Sequence, residues 1–350
     1  MCTRPNFMRY ENKLLTLKKS DYNSWQFIPH VDFDKILEQS IRENFSIVPI
    51  PCGQCLECRL NHAQQWADRC TMEAMKYKYN WFITLTYDDD HYPVNGSLNI
   101  GDLQNFMKRL RKKFPDYKVR YFACGEYGDT SLRPHYHMAL FNLPLNDLSY
   151  EFEQFKNGKY ISYLRPNNKG QLQYSRTIYD LWQHKGIISI APFTYETACY
   201  ISQYVTKKVE GRSKKFYLDH GLAPEFITMS RRPGLGYDYY DKKMFVDNIV
   251  YQNYADDYGV WKTKKSASLQ KQKIILPASG NARIVNQLPR YFEKQFEKDF
   301  PDLFIKYKQA KALNNVLSIN EMLLKKTRQK ELDIRDYKNK KRRMLQRSAI

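Results

Sequence analysis

Two histidines stand one residue apart in Arg133-Pro134-His135-Tyr136-His137-Met138-Ala139-Leu140-Phe141. On an extended strand alternate side chains share a face, so both imidazoles point the same way and can chelate one cation. Glu126 lies near the end of the preceding apolar segment. If the two segments pair as a hairpin, its carboxylate reaches the same ion. Two imidazoles and a carboxylate with open positions suit a hexacoordinate Mg²⁺ or Mn²⁺. For an H-x-H pair taken alone, two histidines on a solvated or satisfied sheet face are the plainer explanation.

A second group lies in Tyr200-Ile201-Ser202-Gln203-Tyr204-Val205-Thr206-Lys207-Lys208. On a helix Tyr200 and Tyr204 are neighbours one turn apart, and Lys207 and Lys208 reach the same side. A phenol is a poor nucleophile near neutral pH, because its pKa is about 10. A metal polarising a phosphate, with cations nearby, makes phosphodiester attack feasible. The chain has 28 tyrosines, so the pair alone carries little weight.

Cys52, Cys55 and Cys58 form a C-x2-C-x2-C cluster. Thiolates so spaced can share a Zn²⁺, with His62, Cys70 or Cys124 as a fourth ligand. Part of an iron–sulfur run has the same spacing, although only three ligands are local. Thiols packed at a helix start are the plain alternative.

The elements that must position these groups are legible in outline. Trp81 to Tyr87 reads as a strand, and Asp88 to Gly96 as a loop. Leu103, Phe106, Leu110 and Phe114 recur at helical spacing in Asp102 to Phe114. Val119 to Cys124 and His135 to Phe141 read as strands, with a hairpin loop from Gly125 to Pro134. Thr194 to Lys208 reads as a helix. This order predicts an α+β fold with a central, mostly antiparallel sheet and flanking helices. The expected domains are an N-terminal extension over 1–50, a main domain over 51–240 with the Cys cluster at its start, and a linker followed by a basic, mostly helical region over 241–350.

Basic residues cluster in three places. Lys108, Arg109, Arg111 and Lys112 share the Asp102–Phe114 helix, as a solvated face or as a track for a DNA backbone. Arg231 and Arg232 precede Pro233 in a segment that reads equally as a phosphate-contacting loop or a structural turn. The last thirty residues hold eleven Lys or Arg against four acids.

The chain of 350 residues carries a net charge of +20, with 19 Phe and 5 Trp beside its tyrosines. Cations attract phosphates and rings stack on bases, so this composition suits a nucleic-acid partner. At 42% apolar and 27% charged residues, a fully disordered chain is excluded. Seven cysteines are an odd number, unlike an exported disulfide framework. The first residues show no apolar stretch of the signal-peptide type, and no apolar run is long enough to span a bilayer. A soluble protein of a reducing cytoplasm, with no membrane partner, is expected.

Taken in order, Thr84-Leu85-Thr86-Tyr87, the acid before an H-x-H strand, and paired tyrosines followed by Lys resemble the HUH endonucleases. The set formed by Pro51-Cys52-Gly53-Gln54-Cys55-Leu56-Glu57-Cys58-Arg59, Cys124-Gly125-Glu126-Tyr127-Gly128 and Met229-Ser230-Arg231-Arg232-Pro233-Gly234-Leu235-Gly236 is more specific. It is similar to replication initiation proteins of the microviruses, small circular single-stranded DNA phages, and especially their gokushovirus branch. The resemblance covers about residues 51 to 240. It implies that His135, His137 and Glu126 bind the metal, that Tyr200 and Tyr204 are the catalytic tyrosines, and that Lys207 completes a Tyr-x-x-Lys pattern on Tyr204. Gln203 stands where relatives often have the Lys belonging to Tyr200, which favours Tyr204 as first nucleophile. It further implies a rolling-circle nickase in the cytoplasm of a bacterial host, with single-stranded origin DNA, a host replication helicase and a DNA polymerase as partners. A plasmid relaxase or transposase with the same chemistry, and a non-catalytic single-stranded DNA-binding or packaging protein, are the alternatives.

Overall fold

The computed structural model describes backbone and side chains over 51–128, 132–161, 173–205, 216–240, 289–305 and 307–308, and backbone alone at 6–11, 26–28, 45–49, 162–164, 206–207 and four short strands between 254 and 285, with residues 35, 39, 42 and 50 singly. Lys208 and the C-terminal basic run lie outside the described residues. Contacts between Cα atoms divide the chain into two units. One joins 1–61, 241–270 and 291–350; the other joins His62–Tyr240 and 271–290. The Cys-bearing segment 52–58 therefore groups with the N-terminal residues.

In the first unit β1 (Asn6–Glu11) pairs antiparallel with β2 (Gln26–Ile28) and β3 (Phe45–Ile50). The mixed polarity of 1–50 hid this sheet from the sequence. The residues expected to be a linker carry short antiparallel strand pairs, one of them joining 272–275 to 282–285. α1 (Leu56–Ala74) runs from the first unit into the second.

The second unit is built on β4 (Asn80–Thr86), α2 (Ile100–Lys113), β5 (Arg120–Tyr127), β6 (Pro134–Phe141), β7 (Leu148–Ser149), β8 (Glu151–Lys156), β9 (Lys159–Leu164), β10 (Tyr174–Ser175), α3 (Arg176–Leu181), β11 (Ile188–Pro192), α4 (Tyr195–Lys207) and β12 (Phe226–Met229). Five strands form one fully antiparallel sheet in the order β11-β4-β6-β5-β12. β6 is its middle strand, which explains its nearly continuous burial. The α+β fold with a central antiparallel sheet and flanking helices is as expected.

Strand alternation divides the core into two layers. Ile83, Leu85, Ala123, Tyr136, Met138 and Leu140 face a layer with Leu103, Phe106, Met107 and Leu110 of α2, and with Trp182 after α3. Phe122, Cys124, Ala139 and Phe141 face the other way, onto Ala67 and Cys70 of α1 and Ala198, Ile201 and Tyr204 of α4. Each fully buried large side chain contributes about 1.5–3 kcal/mol of hydrophobic stabilisation. Asn99 caps α2 by accepting from the Gly101 N–H. Thr194 and Thr197 exchange side-chain and backbone hydrogen bonds at the start of α4, fixing where that helix leaves the sheet.

Candidate metal centre and tyrosine pair

The register of β6 builds the site. His135 lies opposite Glu126 on β5 and Thr86 on β4, while His137 lies opposite Cys124 and Thr84. Both imidazoles and the Glu126 carboxylate therefore share the face that α1 and α4 cover. Glu126 Oε1 stands 2.9 Å from Nε2 of His135 and 2.9 Å from Nε2 of His137. The three ligand atoms lie within 4.8 Å of one another. Strand β5 extends to Tyr127, beyond the Cys124 expected from its apolar pattern, and this extension carries Glu126 into the ladder.

The outer nitrogens set the chemistry of the inner ones. His135 Nδ1 lies 3.0 Å from the Arg133 carbonyl oxygen. A carbonyl only accepts, so Nδ1 carries the proton and Nε2 of a neutral ring presents a lone pair. That lone pair faces a carboxylate oxygen. Two acceptors at 2.9 Å need a cation between them, either a proton on the imidazole or a metal ion. His137 Nδ1 sits 2.9 Å from Thr84 Oγ1, which holds the second ring in the same orientation. This donor set fits a divalent cation.

Glu126 is buried. Burial works to raise its carboxyl pKa, but hydrogen bonds from His135, His137 and Tyr204 outweigh it and hold the group well below the usual carboxylate range. Tyr204 thus donates its phenol to Glu126. Burial first, then the hydrogen bonds to Glu126 and Tyr200, push the Tyr204 phenol far above the ordinary tyrosine value.

The two tyrosines come together over the histidines. Tyr204 stacks on His137 with ring centroids 5.6 Å apart, and Tyr200 meets the same imidazole edge-on at 5.3 Å. Phe82 stacks on the other side of His137 and also touches Tyr200. Exposure separates the pair: Tyr200 is 43% exposed and Tyr204 only 8%. The preference for Tyr204 as the first nucleophile therefore loses its support, since an incoming phosphate meets Tyr200 first and Tyr204 is tied to Glu126. Lys207 occupies the last position of α4. Sequence reasoning found Glu126, both histidines and both tyrosines, but missed Thr84 and Phe82. The Thr84–His137 pairing becomes readable only once β4 is known to neighbour β6.

The basic helix does not join this site. α2 packs on the opposite face of the sheet. Arg109 Nε donates to the Leu181 carbonyl oxygen at 2.8 Å, which ties α2 to the end of α3. Arg111 lies over the Tyr121 ring. Lys108 and Lys112 are on that far side, Lys112 fully in solvent. Arg231 and Arg232 are also exposed, on a turn whose Leu235 packs into the layer containing Tyr204. That turn is held from below: Arg69 donates to the Leu235 carbonyl, Arg120 to the Pro233 carbonyl, and Glu73 accepts from the Gly236 N–H while pairing with Arg120.

Of the expected fourth ligands for the Cys cluster, Cys70 and Cys124 are core residues of the α1–sheet layer. His62 Nε2 accepts the Trp66 indole N–H at 3.3 Å. Each of the three already has a role of its own.

Comparison with known proteins settles the family. The replication-associated protein ORF2 of Spiroplasma virus 4 is 32% identical over 281 residues, spanning 77% of this chain and 75% of that protein. The chain belongs to the family of phage replication-associated proteins. The family model described as replication-associated protein ORF2 matches residues 80–209, which contain the triad and both tyrosines. A second relative of this replication-associated protein is VP4 of Bdellovibrio phage phiMH2K, 28% identical over 86% of this chain and 82% of its own length. ORF4 of Chlamydia phage 1, also named a replication-associated protein, is 33% identical over 46% of this chain and 38% of its own length. No solved structure matches this replication-associated protein significantly. Among the described residues, no helix is long and apolar enough to cross a membrane.

Proposed function

We propose that this protein starts rolling-circle replication as a metal-dependent tyrosine nickase and strand transferase. The observation that carries the reading is the convergence of one buried carboxylate, two imidazoles and two phenols on a single face of the sheet. Glu126, His135 and His137 would hold Mg²⁺ or Mn²⁺, which when bound polarises the scissile phosphate and stabilises its developing charge. Tyr200, the accessible phenol, attacks the phosphorus of the origin strand. Its oxygen becomes esterified to the 5′ phosphate, and the departing 3′ oxygen becomes the hydroxyl that primes synthesis by a host polymerase behind a host helicase. Tyr204 waits hydrogen-bonded to Glu126 and serves as nucleophile when the regenerated site returns. The first 5′ end is then passed to the new 3′ hydroxyl and the circle closes. The phosphotyrosine conserves the phosphodiester energy, so rejoining needs no nucleotide cofactor. Arg231, Arg232, Lys207 and Lys208 are the cations proposed to hold the strand. The bacterial cytoplasm is the place of action.

The test is incubation with a single-stranded origin oligonucleotide and Mn²⁺, followed by mapping of the covalent peptide. The reading expects a nucleotide adduct on the peptide containing Tyr200 and Tyr204, and none in EDTA. Tight binding without any adduct would instead make the protein a single-stranded DNA-binding or packaging protein.

A further inference from the structure

We infer that Cys52, Cys55 and Cys58 form a second metal centre, a mononuclear tris-thiolate site for a soft divalent ion such as Zn²⁺. It is separate from the Glu126–His135–His137 centre in residues and in chemistry, and it does not depend on the nickase reading. The three Sγ atoms lie within 4.8 Å of one another, and Cys52 Sγ stands 4.0 Å from Cys58 Sγ. Zn–S bonds of about 2.3 Å in a tetrahedron place sulfurs roughly 3.8 Å apart, so an ion fits with almost no movement. The same 4.0 Å is about twice a disulfide bond length. A four-iron cluster binds each cysteine to a different iron and needs its sulfurs spread wider, which disfavours that alternative.

The backbone is shaped for metal-bound sulfur as well. The Cys55 N–H donates to Cys52 Sγ at 3.3 Å, a contact that stabilises negative charge on the sulfur. Gly53 takes a positive φ of 78° in the turn between these two residues, which lets the chain double back so that both thiols face inward. Cys58 lies in the first turn of α1, where the helix favours an anionic ligand. Two half-buried thiols and one buried thiol converge here without any disulfide among the described cysteines. The site takes three protein ligands, and its fourth position is left for water or another small ligand. Its effect is to fasten the turn after β3 to the first turn of α1.

The experiment uses the full chain purified in reducing buffer, stripped of metal and titrated with Co²⁺. The proposal expects a thiolate-to-cobalt charge-transfer band with tetrahedral visible bands, saturating at about one equivalent per chain and abolished by Zn²⁺ competition. Cys55→Ser should remove the band while far-UV circular dichroism stays unchanged. His137→Ala should leave the band intact, which separates this centre from the other one. The absence of a charge-transfer band in the correctly folded wild type would overturn the proposal. So would its loss in His137→Ala, or its persistence in Cys55→Ser.

Discussion

Tyr200 and Tyr204 show how one turn of helix can give two identical side chains different work. One phenol is exposed beside the triad; the other donates to Glu126. Tyr200→Phe should therefore abolish the first covalent adduct or cut it to a small residue. Tyr204→Phe should still form the adduct and fail mainly in circle release. A gel assay for the protein–DNA adduct, run beside a circularisation assay, separates these outcomes. Equal defects in the two variants would show that the difference in burial does not set their order. Thr84 gives a second residue-level expectation. Thr84→Val keeps the shape but removes the partner of His137 Nδ1, so Mn²⁺ affinity should fall by about 10–100-fold. Titration monitored by electron paramagnetic resonance measures this, and adduct formation should recover at saturating Mn²⁺. The ligands themselves were legible in the sequence because H-x-H on a strand and an acid at a hairpin obey a simple alternation. The Tyr204–Glu126 hydrogen bond was not, because it depends on the angle at which α4 crosses the sheet.

Elements were legible where their own pattern sufficed. β4, α2, β6 and α4 begin and end within a residue or two of expectation, since apolar alternation or helical spacing marks each of them. β1 and β3 escaped notice because NFMRYE and FSIVPI pair across a long separation and have mixed or unbroken polarity. α1 was hidden by its polar stretch Asn61-His62-Ala63-Gln64-Gln65. Yet α1 supplies the buried Glu73, which pairs with Arg120 of β5 and receives the Gly236 N–H. Removing one partner of a buried pair leaves the other charge uncompensated. Glu73→Ala should cost about 3–5 kcal/mol in urea unfolding. It should also loosen the 230–236 turn, read as faster amide exchange there. A cost below about 1 kcal/mol would mean that water takes over from Glu73.

At the scale of the whole second unit, the sheet separates chemistry from the basic helix that composition first drew attention to. Neutralising Lys108 and Lys112 should barely change the salt dependence of single-stranded DNA binding. Neutralising Arg231 and Arg232 should lower the slope of log affinity against log salt by about 0.7 for each phosphate they had neutralised. The reverse pattern would place the strand on the α2 face. The same layer behind the sheet sets the alkaline limit of the fold. Burial, first among its causes, pushes the Tyr136 phenol up to about 12, and Tyr87 beside it further still. Unfolded tyrosines titrate near about 10. A folded value above the unfolded one means that stability is full below pH ~10 and is lost as pH climbs through the window up to ~12. Urea midpoints should be level from pH ~7 to ~9 and fall beyond ~10. A level midpoint at pH ~11 would contradict the burial of these phenols.

The neck of the β5–β6 hairpin has one more consequence. Gly128 N–H donates to the Arg133 carbonyl and Leu132 N–H to the Gly128 carbonyl, while the Arg133 guanidinium reaches the Tyr87 carbonyl of the neighbouring chain segment. The same Arg133 carbonyl fixes the proton on His135. The orientation of the ligand is thus closed off at the neck, by the pairing of Gly128 with Arg133, before the chain reaches 129–131. The stretch between Gly128 and Leu132 is therefore an insertion point: length can accumulate there by drift, or be added by hand as a tag, without reaching the metal.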